Sequence, residues 1–175
     1  MVDKFVIRLA EPRDIKNVVD LSNDDTVRAM SIHTEKIEWD TNVKWFEGAL
    51  KNPDLKFYVA ESADGDFIGQ IRFVRNSTEW IVSISLVEKY RGKGMAKSIL
   101  HRSIELSNLK NIATCIYNKN YASLNVFEIK GSNDVRLVTY VFNNYCVCRG
   151  RVKSIILYVS SSYYVKSDGG MCYAA

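Results

Sequence analysis

Val82-Ser83-Ile84-Ser85-Leu86-Val87-Glu88-Lys89-Tyr90-Arg91-Gly92-Lys93-Gly94-Met95-Ala96 joins an alternating apolar run to a glycine loop and then to a helical pattern. Ile84 and Leu86 alternate with Ser83 and Ser85, the period-2 pattern of a half-buried strand. Beyond Ala96, Ile99, Leu100, Ile104 and Leu109 recur at helical spacing. Gly92 and Gly94 let the backbone turn tightly between the two and leave its N–H groups open. The first N–H groups of a helix have no internal partner, and its dipole favours negative charge, so the junction suits a phosphate-bearing cofactor. A plain tight turn fits the same residues. Spacing excludes two nucleotide motifs. Lys93-Gly94-Met95 lacks the Gly-Lys-Ser/Thr of a P-loop, and Lys97 stands where a dinucleotide fingerprint needs its third glycine.

A second block follows the apolar run Ile112 to Tyr117. In it Asn120, Ser123 and Phe127 fall at i, i+3 and i+7, one face of a helix. With Arg91, Gly94 and Ala96, this order resembles the GNAT superfamily of N-acetyltransferases. The acyl-CoA motif of that family is Arg or Gln, two residues, Gly, one residue, then Gly or Ala. The resemblance implies acetyl-CoA as cofactor and an acyltransferase acting on an amine. It places the amides of Arg91, Gly92, Lys93, Gly94, Met95 and Ala96 on the pyrophosphate of coenzyme A, and the Leu86 amide on the thioester carbonyl. The Lys93 side chain either adds charge there or stays solvated. Asn120, Ser123 and Phe127 face the cofactor. Phe127 stands where the family often has a Tyr that protonates the departing thiolate, and it has no proton to give. Tyr121, on a neighbouring face, or a bound water is the alternative acid.

The coarse element order agrees with that family's fold. Phe5 to Leu9 reads as a strand. Pro12-Arg13-Asp14 opens a helix with Ile15, Val18, Val19 and Leu21 inward. Short and longer helical stretches follow at Thr26 to Met30 and Thr41 to Leu50. Strands Phe57 to Glu61 and Phe67 to Arg75 flank an Asp-Gly turn at Ala63-Asp64-Gly65-Asp66. The expected class is mixed α/β: one domain over residues 1–175, built as a three-layer α/β/α sandwich. The resemblance adds that its sheet is mostly antiparallel and splayed at the centre.

Ser22-Asn23-Asp24-Asp25-Thr26-Val27-Arg28, Ile37-Glu38-Trp39 and Val43-Lys44-Trp45-Phe46 resemble a GNAT branch acting on UDP-linked 4-amino-sugars, as in pseudaminic acid synthesis. That branch lies near the ribosomal-protein N-terminal acetyltransferases. Asn42 stands where the sugar branch often has His. Trp39, Trp45 and Phe46 are expected in the core rather than as a sugar platform, and Asn23 or Asp24 as helix caps. Acetyl transfer needs a neutral amine. Deprotonating a lysine of pKa ~10.4 at pH 7 costs roughly 4.6 kcal/mol, against about 1.1 for an α-amine near ~7.8. Glu79, just ahead of the central strand, and His33 are the candidate bases, although Glu79 also reads as a solvated strand end. The shortage of a strong base favours an amino-sugar, an N-terminal amine or another small amine over lysine. An inactive acyl-CoA-binding homologue is the second reading.

The 175 residues carry a net charge of +4, with no basic block interleaved with aromatics that would point to nucleic acid. No apolar run approaches the ~20 residues of a membrane helix, and the N-terminus lacks a signal-peptide stretch. Cys115, Cys146, Cys148 and Cys172 have no metal-ligand spacing and read as reduced thiols of a cytoplasmic protein. The resemblance covers residues 4–131. Beyond Gly131, residues 132–175 hold five of the 24 Lys and Arg but two of the 20 Asp and Glu. This segment is atypical, and an altered reading frame or a lineage-specific C-terminus both fit it. Val135 to Phe142 and Val152 to Val159 still read as strands, whose pairing with a second chain would give a homodimer.

Overall fold

The computed structural model describes residues 5–31, 34–117, 119–127 and 136–142. Its strands are β1 (Phe5–Leu9), β2 (Leu55–Ser62), β3 (Phe67–Asn76), β4 (Glu79–Leu86), β5 (Asn111–Tyr117) and β6 (Arg136–Phe142). They form one sheet in that order. The first three pairings are antiparallel, and β4–β5 and β5–β6 are parallel. Helices α1 (Ile15–Ser22), α2 (Asp25–Ala29) and α3 (Trp39–Lys51) lie between β1 and β2. Helix α4 (Met95–Ser107) joins β4 to β5, and α5 (Tyr121–Phe127) follows β5.

Strand alternation sets the layers. Tyr58 and Ala60 of β2 share a face with Ile71, Phe73, Val82 and Leu86, and this face packs on Ile99, Leu100 and Ile104 of α4 and Phe127 of α5. Phe57, on the opposite face, packs on Val18 of α1 and on Phe46 and Ala49 of α3. Helices therefore cover both faces, giving the expected three-layer mixed α/β fold. Phe46, Phe73, Ile99 and Leu100 are fully buried, each contributing about 1.5–3 kcal/mol of apolar transfer. At the edge, the Arg8 guanidinium bonds both Asp14 and Glu61, fastening β1 to β2 and to the entry of α1. Burial alone would raise the Asp14 carboxyl. Hydrogen bonds from Arg8 and the Glu11 N–H, with the charges of Arg8 and Arg13, outweigh burial and hold it below the usual range.

The sheet opens at its centre. β4 and β5 are in register only at Trp80↔Ile112 and Ile81↔Ala113, and they diverge from Val82 onward. β3 stays paired with β4 to Gly69↔Leu86. A Cβ on Gly69 would meet the Ser85 carbonyl oxygen at 2.3 Å and Leu86 Cδ2 at 2.6 Å. Only glycine lets β3 lie that close to the end of β4.

Several element bounds and two expected burials change. β4 begins at Glu79 rather than Val82, and α3 begins at Trp39 rather than Thr41. The helical period of α3 turns Asn42, Phe46 and Ala49 inward, so Trp39 (48% exposed) and Trp45 (39%) are surface residues rather than core. His33, Gly131, the 152–159 strand, Cys146, Cys148, Cys172 and the proposed tail-mediated dimer lie outside the described residues. No helix among the described residues is long and apolar enough to cross a membrane.

Candidate functional site

The divergence of β4 from β5 borders a cavity of about 640 Å³. Val82 to Leu86 line it from β4, and Thr114, Cys115 and Ile116 line it from β5. The loop at Arg91, Gly92 and Gly94 and the first turn of α4 contribute, as do Asn120, Ser123 and Phe127 around α5. Thr26, Val27, Met30 and Ser31, in and after α2, complete the wall. Helices α4 and α5 pack on one face of the sheet, whereas Arg28 of α2 acts on Arg72, which projects from the other. A cavity lined by both groups passes through the gap between β4 and β5.

The glycine loop has the geometry its sequence requires. Gly92 and Gly94 have φ of 71° and 75°, left-handed values that favour glycine. Gly94 is the N-cap of α4 and has no side chain to satisfy the first-turn amides, which stay open to a ligand. Arg91 is held at both ends of its guanidinium: Nε donates to the Leu86 carbonyl at 2.7 Å, and Nη2 to Asp24 Oδ1 at 2.8 Å. The same Asp24 oxygen accepts from the Val27 N–H at 3.0 Å and caps α2. Burial would raise the Asp24 carboxyl, but the Arg91 hydrogen bond and charge and the helix N–H groups hold it below the usual range. The loop, the end of β4 and α2 are thus one hydrogen-bonded unit.

Of the ten residues expected at the cofactor, nine line the cavity: Leu86, Arg91, Gly92, Gly94, Met95, Ala96, Asn120, Ser123 and Phe127. Lys93 is exposed and outside the lining, with its ammonium 5.9 Å from the Tyr90 ring centroid. Asn120 Oδ1 accepts from the Ser123 N–H at 3.0 Å, so it caps α5. The two expected catalytic residues are not brought to the cavity. Glu79 begins β4 opposite Asn76, three residues before the lining starts and roughly 10 Å along the strand. Tyr121 is 71% exposed and outside the lining, turned away from the Ser123–Phe127 face. Sequence reasoning missed the α2 segment, the β5 wall at Thr114 and Cys115, and the depth of Arg28 and Arg72. The Asp24 N-cap pattern marks where α2 starts but not what it faces. Among the described residues no three His, Cys, Asp or Glu side chains gather as a metal site.

Residues 4–132 match the family model described as an acetyltransferase (GNAT) domain. The chain belongs to the GNAT acetyltransferase family. It is an N-acetyltransferase whose donor is acetyl-CoA. One similar crystal structure, provisionally described as a phosphinothricin N-acetyltransferase, shares 27% identity over 71% of this chain and 81% of that one, with a TM-score of 0.61. The spermidine N-acetyltransferase of Vibrio cholerae, solved with CoA and spermine, has a TM-score of 0.66 over 84% of this chain and 92% of that one. Its 18% identity makes that a likeness of fold. No curated protein matches the chain. The two solved proteins are named for small amines, so the comparisons carry the family and not the narrower amino-sugar or ribosomal-protein branch.

Proposed function

We propose that this GNAT enzyme moves the acetyl group of acetyl-CoA to the primary amine of a small molecule by direct attack on the thioester. The observation that carries this reading is the single cavity bordered by the open α4 amides, passing between β4 and β5 to α2. The amides of residues 91–96 hold the pyrophosphate, aided by the α4 dipole. Pantetheine lies along the edge of β4 from Val82 to Leu86, which β5 does not pair. The Leu86 amide polarises the thioester carbonyl as negative charge develops on its oxygen. The amine approaches from the α2 side over Ser83 and Ser85.

The described lining residues include no carboxylate or imidazole. The acceptor in this reading is therefore an amine that deprotonates cheaply, and water protonates the thiolate beside Phe127. Glu79 and Tyr121 take no part in it. A nucleotide-linked amino-sugar meets the requirement, as does an α-amine. The test is release of free CoA thiol from acetyl-CoA across amino-sugars, amino acids, peptides and polyamines, with calorimetry of CoA binding alongside. Turnover on at least one amine, with acetyl recovered on its nitrogen, is expected. Tight CoA binding with no thiol released on any amine would favour the inactive, cofactor-binding reading instead.

A further inference from the structure

Asp24 stands between the cofactor loop and the cavity wall formed by α2. Its Oδ1 accepts from two directions, from Arg91 Nη2 at 2.8 Å and from the Val27 N–H at 3.0 Å. Arg91 Nε is fixed on the Leu86 carbonyl. One carboxylate oxygen therefore ties the start of α2 to the loop and to the end of β4. Just beyond it, Thr26, Val27, Met30 and Ser31 line the cavity. A short ladder holds them. The Arg28 N–H donates to the Asp24 carbonyl at 2.9 Å, the Met30 N–H to the Thr26 carbonyl at 3.2 Å and the Ser31 N–H to the Arg28 carbonyl at 3.0 Å. Ser31 Oγ also donates to the Val27 carbonyl at 2.7 Å.

Such a ladder is weak alone. α2 has five residues, well short of the ~12 that even a good isolated helix needs in water, so contacts outside it set its position. The Arg91–Asp24 pair is one of them. Its side chains are each 27% exposed, so water competes for it. The pair is anchored in a loop where Gly92 and Gly94 leave the backbone free to turn elsewhere when nothing holds its amides. A pyrophosphate on those amides fixes the Arg91 backbone and with it the guanidinium. The cost of ordering the pair is then met before an amine meets α2.

We infer that Asp24 is a positioning residue for acetyl transfer: through Arg91 it carries the order that CoA imposes on the 91–96 loop into α2, so the amine-facing wall is completed once CoA is bound. This rests on the acetyl-transfer reading above, which puts the amine on the α2 side. Linkage makes the effect reciprocal, so an amine that orders α2 raises CoA affinity by the same factor.

Hydrogen exchange read by mass spectrometry on the whole protein, with and without saturating CoA, tests this with no amine present. In the wild type, amides of residues 26–31 should exchange about 5-fold more slowly with CoA, the lower end of typical coupling between sites. Asp24→Ser keeps a good N-cap but has neither the reach nor the charge to hold Arg91. In that variant CoA should still slow residues 91–96, while the slowing at 26–31 is lost. Asp24→Asn, which keeps the oxygen without the charge, should reduce the slowing and is read in the same way if the Ser variant fails to hold CoA. A merely structural role would speed α2 exchange in the free and the bound protein alike and leave the ratio between them unchanged. Direct contact of CoA with α2 would slow residues 26–31 in all three proteins. Either result, or no slowing of 26–31 in the wild type, overturns the inference. Thiol release across the amine panel reports separately on acetyl transfer.

Discussion

A charge-matched series at Gly94 tests whether the 91–96 loop is an anion site. Gly94 has a φ of 75°, and a Cβ added there meets nothing within 4 Å. The cost of any L-residue is therefore that of the left-handed backbone, roughly 1–2 kcal/mol. Gly94→Ala, Gly94→Glu and Gly94→Lys should all lose about that much stability, read as a lower denaturation midpoint at unchanged slope. Their CoA affinities should separate. A carboxylate on residue 94 about 6 Å from a bound phosphate, at an effective dielectric of ~20, contributes about 2.8 kcal/mol of repulsion, roughly 100-fold in affinity. Full water screening reduces that to about 0.7 kcal/mol, roughly 3-fold. Relative to Ala, the Glu variant should therefore lose between these limits and the Lys variant should gain. Titration calorimetry with CoA at low and high salt measures both, and the separation should shrink with salt. Equal weakening by Glu and Lys would leave only backbone strain and refute the anion assignment.

Asp24→Asn keeps an N-cap acceptor for Val27 while removing the ion pair with Arg91, whose side chains are each 27% exposed. It should cost about 0.5–1 kcal/mol at neutral pH. Because folding depresses the Asp24 pKa, that gap should persist above the ordinary carboxylate range and close as pH falls through the folded value; a gap that widens in acid would contradict it. Gly69→Ala drives a Cβ into the Ser85 carbonyl, so about 1–3 kcal/mol of stability should be lost, with turnover falling as Leu86 shifts. Wild-type stability in that variant would show that β3 and β4 are not so close. Cys115 lines the cavity, yet direct attack needs no nucleophile from the protein. Cys115→Ala should keep turnover within a few-fold, and intact-mass spectra of the wild type with acetyl-CoA alone should show no acetyl-enzyme.

The sequence shows the donor side of this fold because its chemistry is local. A strand, two glycines and a helix start are contiguous, and hydrogen bonding within that run decides which amides remain open. β1 and β5 are legible for a similar reason, since Phe5 to Leu9 and Ile112 to Tyr117 are short runs rich in apolar and β-branched residues. The acceptor side depends on what covers β3. Gln70 and Arg72 alternate with Ile71 and Phe73, the pattern of a strand with one wet face. In the structure both polar residues are buried, at 2% and 5% exposure, because helices cover that face too. No local pattern announces such a cover. Glu79 shows a related limit: it is the first residue of the right strand, at the end away from Leu86.

The charge of Arg91, first residue of the cofactor motif, points to the phosphates, yet the geometry assigns its side chain elsewhere. Nε and Nη2 are taken by the Leu86 carbonyl and Asp24. What the loop presents to an anion is then backbone N–H and the helix dipole, with Arg91 fixing where those amides stand. Arg91→Lys separates the two roles, because a lysine keeps the positive charge but lacks the planar fork that reaches two acceptors at once. If Arg91 acted through charge, the Lys variant would bind CoA like the wild type while Arg91→Ala would not. The structure instead predicts that Lys and Ala weaken CoA binding to a similar degree and lower stability together, by about 1–2.5 kcal/mol for a part-exposed ion pair and one hydrogen bond to the Leu86 carbonyl. Wild-type CoA affinity in Arg91→Lys would return the guanidinium to the phosphates and detach α2 from the cofactor loop.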